Sequence, residues 1–206
     1  MPVRASIMAG LSTAGIVLGN QQLYAQGSES SGLNLKATSH VGIGYVANIP
    51  ATFLGVSSFF VSPRVLGGMG LYADFKRTTS SPGNSPYYLP NVSVMDAEVT
   101  YGDQLYIEKS DWTTINAGLL YAVTKEFALY GGLGYSREKH FRQYYDQSET
   151  RGEFGYYWIA DPDGSGTRVN AMGGGLIRLT RFALFQLGAE ARPAGANVGL
   201  SITFHP

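Results

Sequence analysis

The chain has 206 residues, with 15 basic and 15 acidic side chains and a formal net charge of zero. This length corresponds to one domain or at most two small ones, and no proline-rich or homopolymeric run marks an internal boundary. The absence of cysteine excludes disulfides, thiol nucleophiles and cysteine-ligated metals. The basic residues form no cluster, which argues against nucleic acid as a partner.

The N-terminus has the features of a secretory signal peptide. Arg4 supplies a positive charge, residues 5–18 form an uncharged and mostly apolar run, and Ala25 is a small residue before a polar segment. The alternative is a transmembrane anchor, but a spanning helix needs about 20 apolar residues and this run is shorter. We therefore expect residues 1–25 to be a cleaved signal peptide and residues 26–206 to form the mature domain.

Most of the mature chain alternates apolar with small or polar residues at a period of two, which is the pattern of a half-buried β-strand. In VTKEFALYGGLGYS (123–136), Leu129, Leu133 and Tyr135 form one face and Gly132 and Gly134 the other. The same alternation predicts eight strands, through 33–47, 53–61, 65–76, 113–121, 123–136, 168–178, 183–192 and 196–204. Segments 95–101 and 153–160 alternate as well. They either extend hairpins or raise the count to ten.

The connections between these strands differ systematically in length. Three are tight and similar, VSPRV, VTKEF and LTRF, whereas 78–111 and 142–166 are long. Tight turns on one rim and long loops on the other are typical of transmembrane β-barrels, whose tight turns lie on the periplasmic side. The sequence therefore predicts an all-β fold, a transmembrane antiparallel up-and-down β-barrel, with eight strands as the preferred count because that count places the three matching turns on one rim.

A period of two does not say which face points inward, and a soluble eight-stranded barrel with an apolar interior is the structural alternative. The polar faces carry charges of both signs beside many glycines, as a narrow interior requires. Aromatic residues such as Tyr45, Tyr72 and Phe204 gather near strand ends, as in lipid-facing barrels. We therefore predict that the apolar face contacts lipid and that paired charges close the lumen. The predicted interior network comprises Lys36, His40, Asp74, Lys76, Asn116, Glu138, His140, Arg168, Arg178, Glu190 and Arg192.

The last strand, VGLSITF (198–204), resembles the closing strand of bacterial outer-membrane barrels. In that family, alternating apolar residues that end in an aromatic are read by the barrel-assembly machinery, which implies an assembly signal at Gly199, Leu200, Ile202 and Phe204. The aromatic is usually the final residue there, whereas His205 and Pro206 follow it here. The whole mature chain resembles the small porin-like barrels of the OmpA, OmpX and OmpW type in Gram-negative bacteria. The resemblance implies an outer-membrane location and contact with outer-membrane lipid and lipopolysaccharide.

Enzymatic motifs are sparse. Lipid A deacylases of this group carry His and Ser two residues apart on one strand, but Gly42 follows His40 and Arg142 follows His140 at that spacing. In a palmitoyltransferase-like arrangement, the His, Asp and Ser residues are dispersed in the sequence, so residue spacing does not test this alternative. Asp161 and Asp163 are weak metal candidates in DPDGSG (161–166), which we interpret as a loop turn because an EF-hand would need Glu at the position of Met172.

The sequence thus favours a structural, adhesion or surface-interaction role, with a side-chain-filled lumen and no cofactor or catalytic residue. One alternative is OmpW-like passage or binding of small hydrophobic molecules, and a second is a lipid A-modifying enzyme. Loops on a rigid scaffold are common binding sites, but the extracellular ligand is not identified. The aromatic residues expected to face outward in the long loops are Tyr87, Tyr88, Tyr144, Tyr145, Tyr156, Tyr157 and Trp158.

Overall fold

The computed structural model describes residues 34–49, 53–65 and 67–205, and the signal peptide expected at 1–25 lies outside the described residues. Eight strands form a closed antiparallel barrel in which each strand pairs with its sequence neighbours and β1 pairs with β8. The predicted fold class and the preferred strand count are therefore confirmed. The strands are β1 His40–Ile49, β2 Phe53–Val61, β3 Met69–Thr78, β4 Gln104–Ala122, β5 Phe127–Tyr145, β6 Tyr156–Arg178, β7 Ala183–Ala191 and β8 Ala194–Phe204.

The barrel wall is apolar on its outer face, whereas its inner face carries polar residues at mid-height and apolar residues toward one end. Along β1, the outward residues Val41, Ile43 and Tyr45 are exposed, whereas His40 and Asn48 point inward and are buried. The other strands follow the same rule, since the exposed large side chains of the wall are mostly leucine, isoleucine, valine and aromatic residues. This is the reverse of a soluble ligand-binding barrel, and it fits a wall that contacts lipid.

A polar row marks one border of this apolar belt. Arg77, Thr113, Arg137 and Thr167 are cross-strand neighbours on the outer faces of β3 to β6. Beyond this row the wall carries Lys139 instead of an aliphatic residue. The belt therefore ends at the level of this row.

The three tight connections lie on one rim, called the proximal rim, together with the start of β1 and the end of β8. In two of these turns, a threonine side chain forms the same hydrogen bond. The Thr124 hydroxyl accepts a hydrogen bond from the Phe127 amide at 3.0 Å, and the Thr180 hydroxyl accepts one from the Ala183 amide at 3.1 Å. A threonine that caps its own turn explains why VTKEF and LTRF look alike.

Three strands extend well beyond the opposite, distal rim. β4, β5 and β6 have 19, 19 and 23 residues, against 9 to 11 in the other strands. The prediction of a loop through 142–166 was wrong, because the connection spans only 146–155. The prediction of a loop turn at DPDGSG was also wrong, because this segment lies inside β6. It forms a bulge there, with Glu138 opposite Gly166 and His140 opposite Asp161, so that residues 162–165 lie opposite residue 139 alone.

Segment 95–101 forms no strand. Asp96–Thr100 is a single π-helical turn, and Pro82–Asn84 is a 3₁₀ turn in the same connection. The Ser93 hydroxyl accepts from the Asp96 amide at 3.1 Å, while the Asp96 carboxylate accepts from the Ser93 amide at 3.0 Å. Such local side-chain hydrogen bonds compete with strand pairing and favour a helical turn. Among the described residues, no helix is long and apolar enough to cross a membrane.

The orientation of the wall gives the first testable prediction. Leu133 lies in the belt with 65% of its side chain exposed, and Leu105 lies on the distal extension with 47% exposed. In lipid vesicles, we expect Leu133→Arg to lower the free energy of unfolding by about 2–4 kcal/mol, because the guanidinium would enter hydrocarbon. The matched control Leu105→Arg should change it by less than about 0.5 kcal/mol. Equal effects in urea unfolding experiments would contradict a lipid-facing wall.

Candidate functional site: a filled lumen beneath a distal extension

The lumen is crossed at mid-height by a lysine between two carboxylates. Lys76 Nζ lies 2.8 Å from Asp74 Oδ1 and 3.0 Å from Glu190 Oε2, and all three side chains are almost completely buried. Lys76 and Asp74 point inward because they are two residues apart on β3, and Glu190 reaches them from β7. One cation thus holds two anions in a place without bulk water.

Side-chain amides surround this charge group. Asn116 Nδ2 donates to Asp74 Oδ1 at 2.9 Å and to Glu190 Oε1 at 3.0 Å, Asn170 donates to Glu190, and the Tyr72 hydroxyl donates to Asp74 Oδ2 at 3.1 Å. Asn48 and Asn197 complete the set. Buried charges are tolerated when their remaining lone pairs are satisfied in this way. The amides offset the excess negative charge that one lysine leaves.

An aromatic stack closes the next level of the lumen. Tyr72 and Tyr130 lie face to face with their ring centroids 4.2 Å apart, and Gln186 Nε2 donates to both hydroxyls. Tyr72 was expected among the interfacial aromatics, but it has the same inward parity as Asp74.

Toward the proximal rim, the lumen is filled by apolar side chains, including Leu35 from the segment before β1, Phe59, Val61, Leu120, Leu176 and Leu184.

Four members of the predicted network meet in this central group: Asp74, Lys76, Asn116 and Glu190. The sequence prediction missed Asn48, Asn170 and Asn197, although their parity with inward residues was a usable signal.

The other predicted members lie elsewhere. Lys36 is exposed, so its assignment to the interior was wrong: it belongs to the turn before β1, not to a strand. His40 is buried at the proximal end, where its Nε2 lies 2.6 Å from Thr38 Oγ1. Arg168 is exposed, whereas Arg178 and Arg192 are half-buried. Long cationic side chains near the ends of the lumen can reach solvent and need no interior anion.

Glu138 and His140 lie on the distal extension, defined as residues 104–112, 138–145 and 156–166. Its inner face continues the luminal face of the wall, and it carries a second ionic group around Arg142. Arg142 Nε is 2.9 Å from Asp161 Oδ2 and 3.2 Å from Glu108 Oε1, and Nη1 is 3.2 Å from Glu98 Oε1. This group joins β4, β5, β6 and the π-helical turn.

A tyrosine beside this ionic group stays uncharged. The Tyr144 hydroxyl donates to Glu98 Oε1 at 2.6 Å. Burial, and then this hydrogen bond to a carboxylate, raise the pKa of Tyr144 to about 12. Tyr144 and Tyr157 are fully buried, so the expectation that both are presented to the outside was wrong.

Ser110 and His140 face each other across β4 and β5, a proximity that spacing along one strand could not reveal. Ser110 Oγ lies 3.0 Å from His140 Nδ1, but it donates its proton to Glu138 Oε1 at 2.7 Å. His140 Nε2 is 3.7 Å from Glu108 Oε2, which is beyond hydrogen-bond range. Glu108 therefore does not orient His140 in the way that the acid of a catalytic triad orients its base.

The two weak metal candidates are not brought together. Asp161 is buried against Arg142, whereas Asp163 is exposed. Among the described residues, no three His, Asp or Glu side chains form a group that could hold a metal ion.

The connection between β3 and β4 wraps the extension on three sides. Tyr88 packs edge-on against Phe141 on the outer face, with ring centroids 5.8 Å apart. The chain then pairs with the free edge of β6, where the Leu89 amide donates to the Trp158 carbonyl at 2.8 Å. Finally Ala97 packs against the inner face, beside Tyr144, Tyr157 and Ile159. The extension is therefore fixed from both faces and from one edge.

The turn between β5 and β6 is organised by one carboxylate. Asp146 accepts hydrogen bonds from the backbone amides of Ser148, Thr150 and Arg151 at 2.8, 3.0 and 3.1 Å, and from the hydroxyls of Ser148 and Thr150. These donors, the Ser148 hydroxyl first, lower the pKa of Asp146. The turn is thus held by the ionised form of the carboxylate.

The luminal charge group gives the second prediction. Lys76→Met leaves Asp74 and Glu190 without their cation, and we expect it to lower the free energy of unfolding by about 3–5 kcal/mol. Lys36→Met is the matched control, since Lys36 is exposed, and it should have almost no effect. Neutralising the whole group with Asp74→Asn and Glu190→Gln in addition should recover most of the loss. A cost for Lys76→Met equal to that of the control would contradict the pairing.

The pH dependence of the distal turn gives the third prediction. Because the folded pKa of Asp146 lies below the ordinary value, its stabilisation is complete above about pH 4 and is lost as the pH falls further. Hydrogen-exchange protection of residues 146–155, corrected for intrinsic rates, should therefore fall at low pH. Asp146→Asn should reduce protection already at pH 7, whereas Asp163→Asn should not. Protection independent of both pH and Asp146 would contradict this role.

Comparison with known proteins gives only distant matches. No protein-family model and no curated protein matches the chain. Among solved structures, it is similar to Ail, the attachment invasion locus protein of Yersinia pestis, at 14% identity over 82% of this chain and 99% of that chain, with a TM-score of 0.47. Ail in complex with the heparin analogue sucrose octasulfate matches at 12% identity over 81% of this chain and 97% of that chain, also at 0.47.

A de novo designed transmembrane β-barrel matches at 12% identity over 82% of this chain and 96% of that chain, with a TM-score of 0.38. These values are too low to carry a functional argument. The geometry itself combines a closed wall of eight antiparallel strands, an apolar outer face and a charged, filled interior. The chain therefore has the fold of a small transmembrane β-barrel.

Proposed function

We propose that this protein is a non-conducting outer-membrane barrel with a structural or surface-interaction role, which it exerts through the distal extension. The observation that carries the proposal is the filled lumen. The Lys76 group, the Tyr72–Tyr130 stack and the apolar cluster follow one another along the barrel axis. An eight-stranded interior is just wide enough for side chains to fill, which leaves the outer surfaces as the functional parts.

The asymmetry of the two rims supports an orientation. The three matching turns and both ends of the barrel lie on the proximal rim, whereas the long β3–β4 connection and the extended strands lie on the distal rim, beside the short β7–β8 connection. We assign the proximal rim to the periplasm. The distal extension then projects outward. β5 continues for eight residues beyond Arg137, which at about 3.4 Å per residue is roughly 27 Å. Because the β3–β4 connection wraps the extension and ion pairs join its strands, the extension presents a rigid surface over that length of strand.

The assignment of the proximal rim to the periplasm also supports proposals for the export, assembly and partners of the protein. The signal peptide at 1–25 would direct export, and β8 would present the assembly signal to the barrel-assembly machinery. Leu200, Ile202 and Phe204 are exposed on the outer wall and Gly199 is buried. The apolar belt would contact outer-membrane lipid, and the basic residues at its border, Arg77 and Arg137, would face lipopolysaccharide headgroups.

The two alternatives are less well supported. OmpW-like passage needs an opening in the wall, but the eight strands are paired around the full circumference. The apolar hollow near Ser58, Ala73 and Ala117 lies over small residues on the lipid side. A lipid A-modifying activity needs an activated nucleophile, and the 3.7 Å between His140 Nε2 and Glu108 Oε2 is too long for the hydrogen bond that orients a catalytic base.

Planar-bilayer recording tests the proposal and gives the fourth prediction. We expect the wild-type barrel to show no large steady conductance, because side chains fill the lumen. A variant with Tyr72→Ala, Tyr130→Ala and Gln186→Ala, which removes the aromatic level alone, should stay non-conducting as well, because the Lys76 group and the apolar side chains of the proximal end still fill the lumen. Anomalous migration on gels without boiling would confirm that both proteins are folded. A large steady conductance of the folded wild type would overturn the filled-lumen function.

A further inference from the structure

The outer face of the distal extension carries a hollow of about 340 Å³ near the belt and a second one farther out, of about 440 Å³. The second hollow is lined by five aromatic side chains, one amide and one carboxylate: Tyr87, Tyr106, Phe154, Tyr156, Trp158, Gln143 and Glu153. Gln143 lies six residues beyond Arg137, or roughly 20 Å along the strand, so the hollow is well outside the lipid. A lipid ligand is therefore excluded at this site.

The aromatic rings stand on a fixed backbone. Tyr156 is at the centre, with its ring centroid 4.9 Å from those of both Tyr106 and Tyr145. The Trp158 amide donates to the Tyr87 carbonyl at 2.9 Å, so the β3–β4 connection holds that strand edge in place. Rigid aromatic side chains in a hollow bind with little loss of conformational entropy. The site is therefore formed before a ligand arrives.

The ring of Phe154 is exposed by a backbone conformation that is unfavourable for phenylalanine. Phe154 has a φ of 50°, in the left-handed region that bulky residues rarely adopt, and its side chain is 78% exposed. Gly152 and Gly155, with φ of 74° and 81°, flank it in the turn. A strained backbone that points a large apolar side chain into water instead of a core favours a contact with a ligand.

The polar side chains of the hollow are available for hydrogen bonds with a ligand. The amide of Gln143 and the carboxylate of Glu153 have no side-chain partner within the described residues. No lysine or arginine lines the hollow, and the carboxylate repels anions. The lining thus combines flat apolar faces, a free amide and a free acceptor, with a bias against sulfate and phosphate groups.

The geometry points to a binding site for a neutral saccharide. A pyranose ring presents C–H bonds on one face, which stack on aromatic rings, and hydroxyls around its edge, which Gln143 and Glu153 can bond. An added peptide strand is disfavoured, because Tyr88 already pairs with the edge of β6 at Trp158. This site rests on the proposed surface-interaction function and names its ligand class, whether the sugar belongs to another cell or to the core of the protein's own lipopolysaccharide.

The test uses the full-length mature barrel in lipid nanodiscs and gives the fifth prediction. It would be probed on an array of neutral, sulfated and sialylated oligosaccharides, and hits would be titrated by calorimetry. We expect neutral glycans to bind. Tyr106→Ala and Phe154→Ala should each weaken binding by up to about tenfold, the order of one aromatic contact. Phe182→Ala is the matched control, since Phe182 is an exposed aromatic in a proximal turn, and it should bind like wild type.

The two sources of the sugar are separated by isolated lipopolysaccharide core oligosaccharide in one arm and free glycans of other origin in the other. Glu153→Gln should retain stacking but change which glycans are preferred. Binding of sulfated glycans alone, the same affinity in the Tyr106 and Phe154 variants, or no binding by a correctly folded barrel would each overturn the site. Those outcomes leave the conductance test untouched, so failure of the site and failure of the proposed function can be told apart.

Discussion

The structure depends on one buried contact, between Lys76 and the carboxylates of Asp74 and Glu190. The interior of this narrow barrel is filled by apolar side chains toward the proximal rim and by polar side chains at mid-height. The polar groups at mid-height must satisfy one another, because they are buried away from water. The lysine, the two acids and the asparagines around them satisfy this requirement with side chains from six strands, so that they link distant parts of the wall.

This arrangement separates anchoring from recognition. Below the row of Arg77, Thr113, Arg137 and Thr167, every described strand serves the closed wall. Above it, only β4, β5 and β6 continue, and they are stabilised by different means: the Arg142 ion pairs, the buried Tyr144 and Tyr157, and the wrapping connection. Since this part does not contact lipid, its outer face is free to carry rings such as Tyr106 and Phe154 that the wall does not need.

The barrel itself could be predicted from sequence, because strand parity and turn length are local properties. Phe53–Val61 was predicted with its observed bounds, and the three tight turns lie on one rim as expected. The extension could not be predicted, because alternation in 142–166 is broken by a bulge whose existence depends on the register between β5 and β6. Likewise, Ser110 and His140 are 30 residues apart and become neighbours only through strand pairing. Asp74, Lys76, Asn116 and Glu190 of the central network were predicted, whereas Asn48, Asn170 and Asn197 were missed although they have the same inward parity.

The central claim is that the apolar face of the wall contacts lipid and the glycine-rich face contacts the lumen. Because the chain has no cysteine, single cysteines can be introduced along β5 and spin-labelled without first replacing a native cysteine. The most direct measurement is the accessibility of such labels at residues 128–136 to oxygen, which dissolves in lipid, and to a water-soluble nickel complex. We expect high oxygen accessibility at Leu129, Leu133 and Tyr135 and low accessibility to both reagents at Ala128, Tyr130 and Ser136, which are buried on the inner face. Preferential access of the nickel complex to Leu129, Leu133 and Tyr135 would contradict this claim.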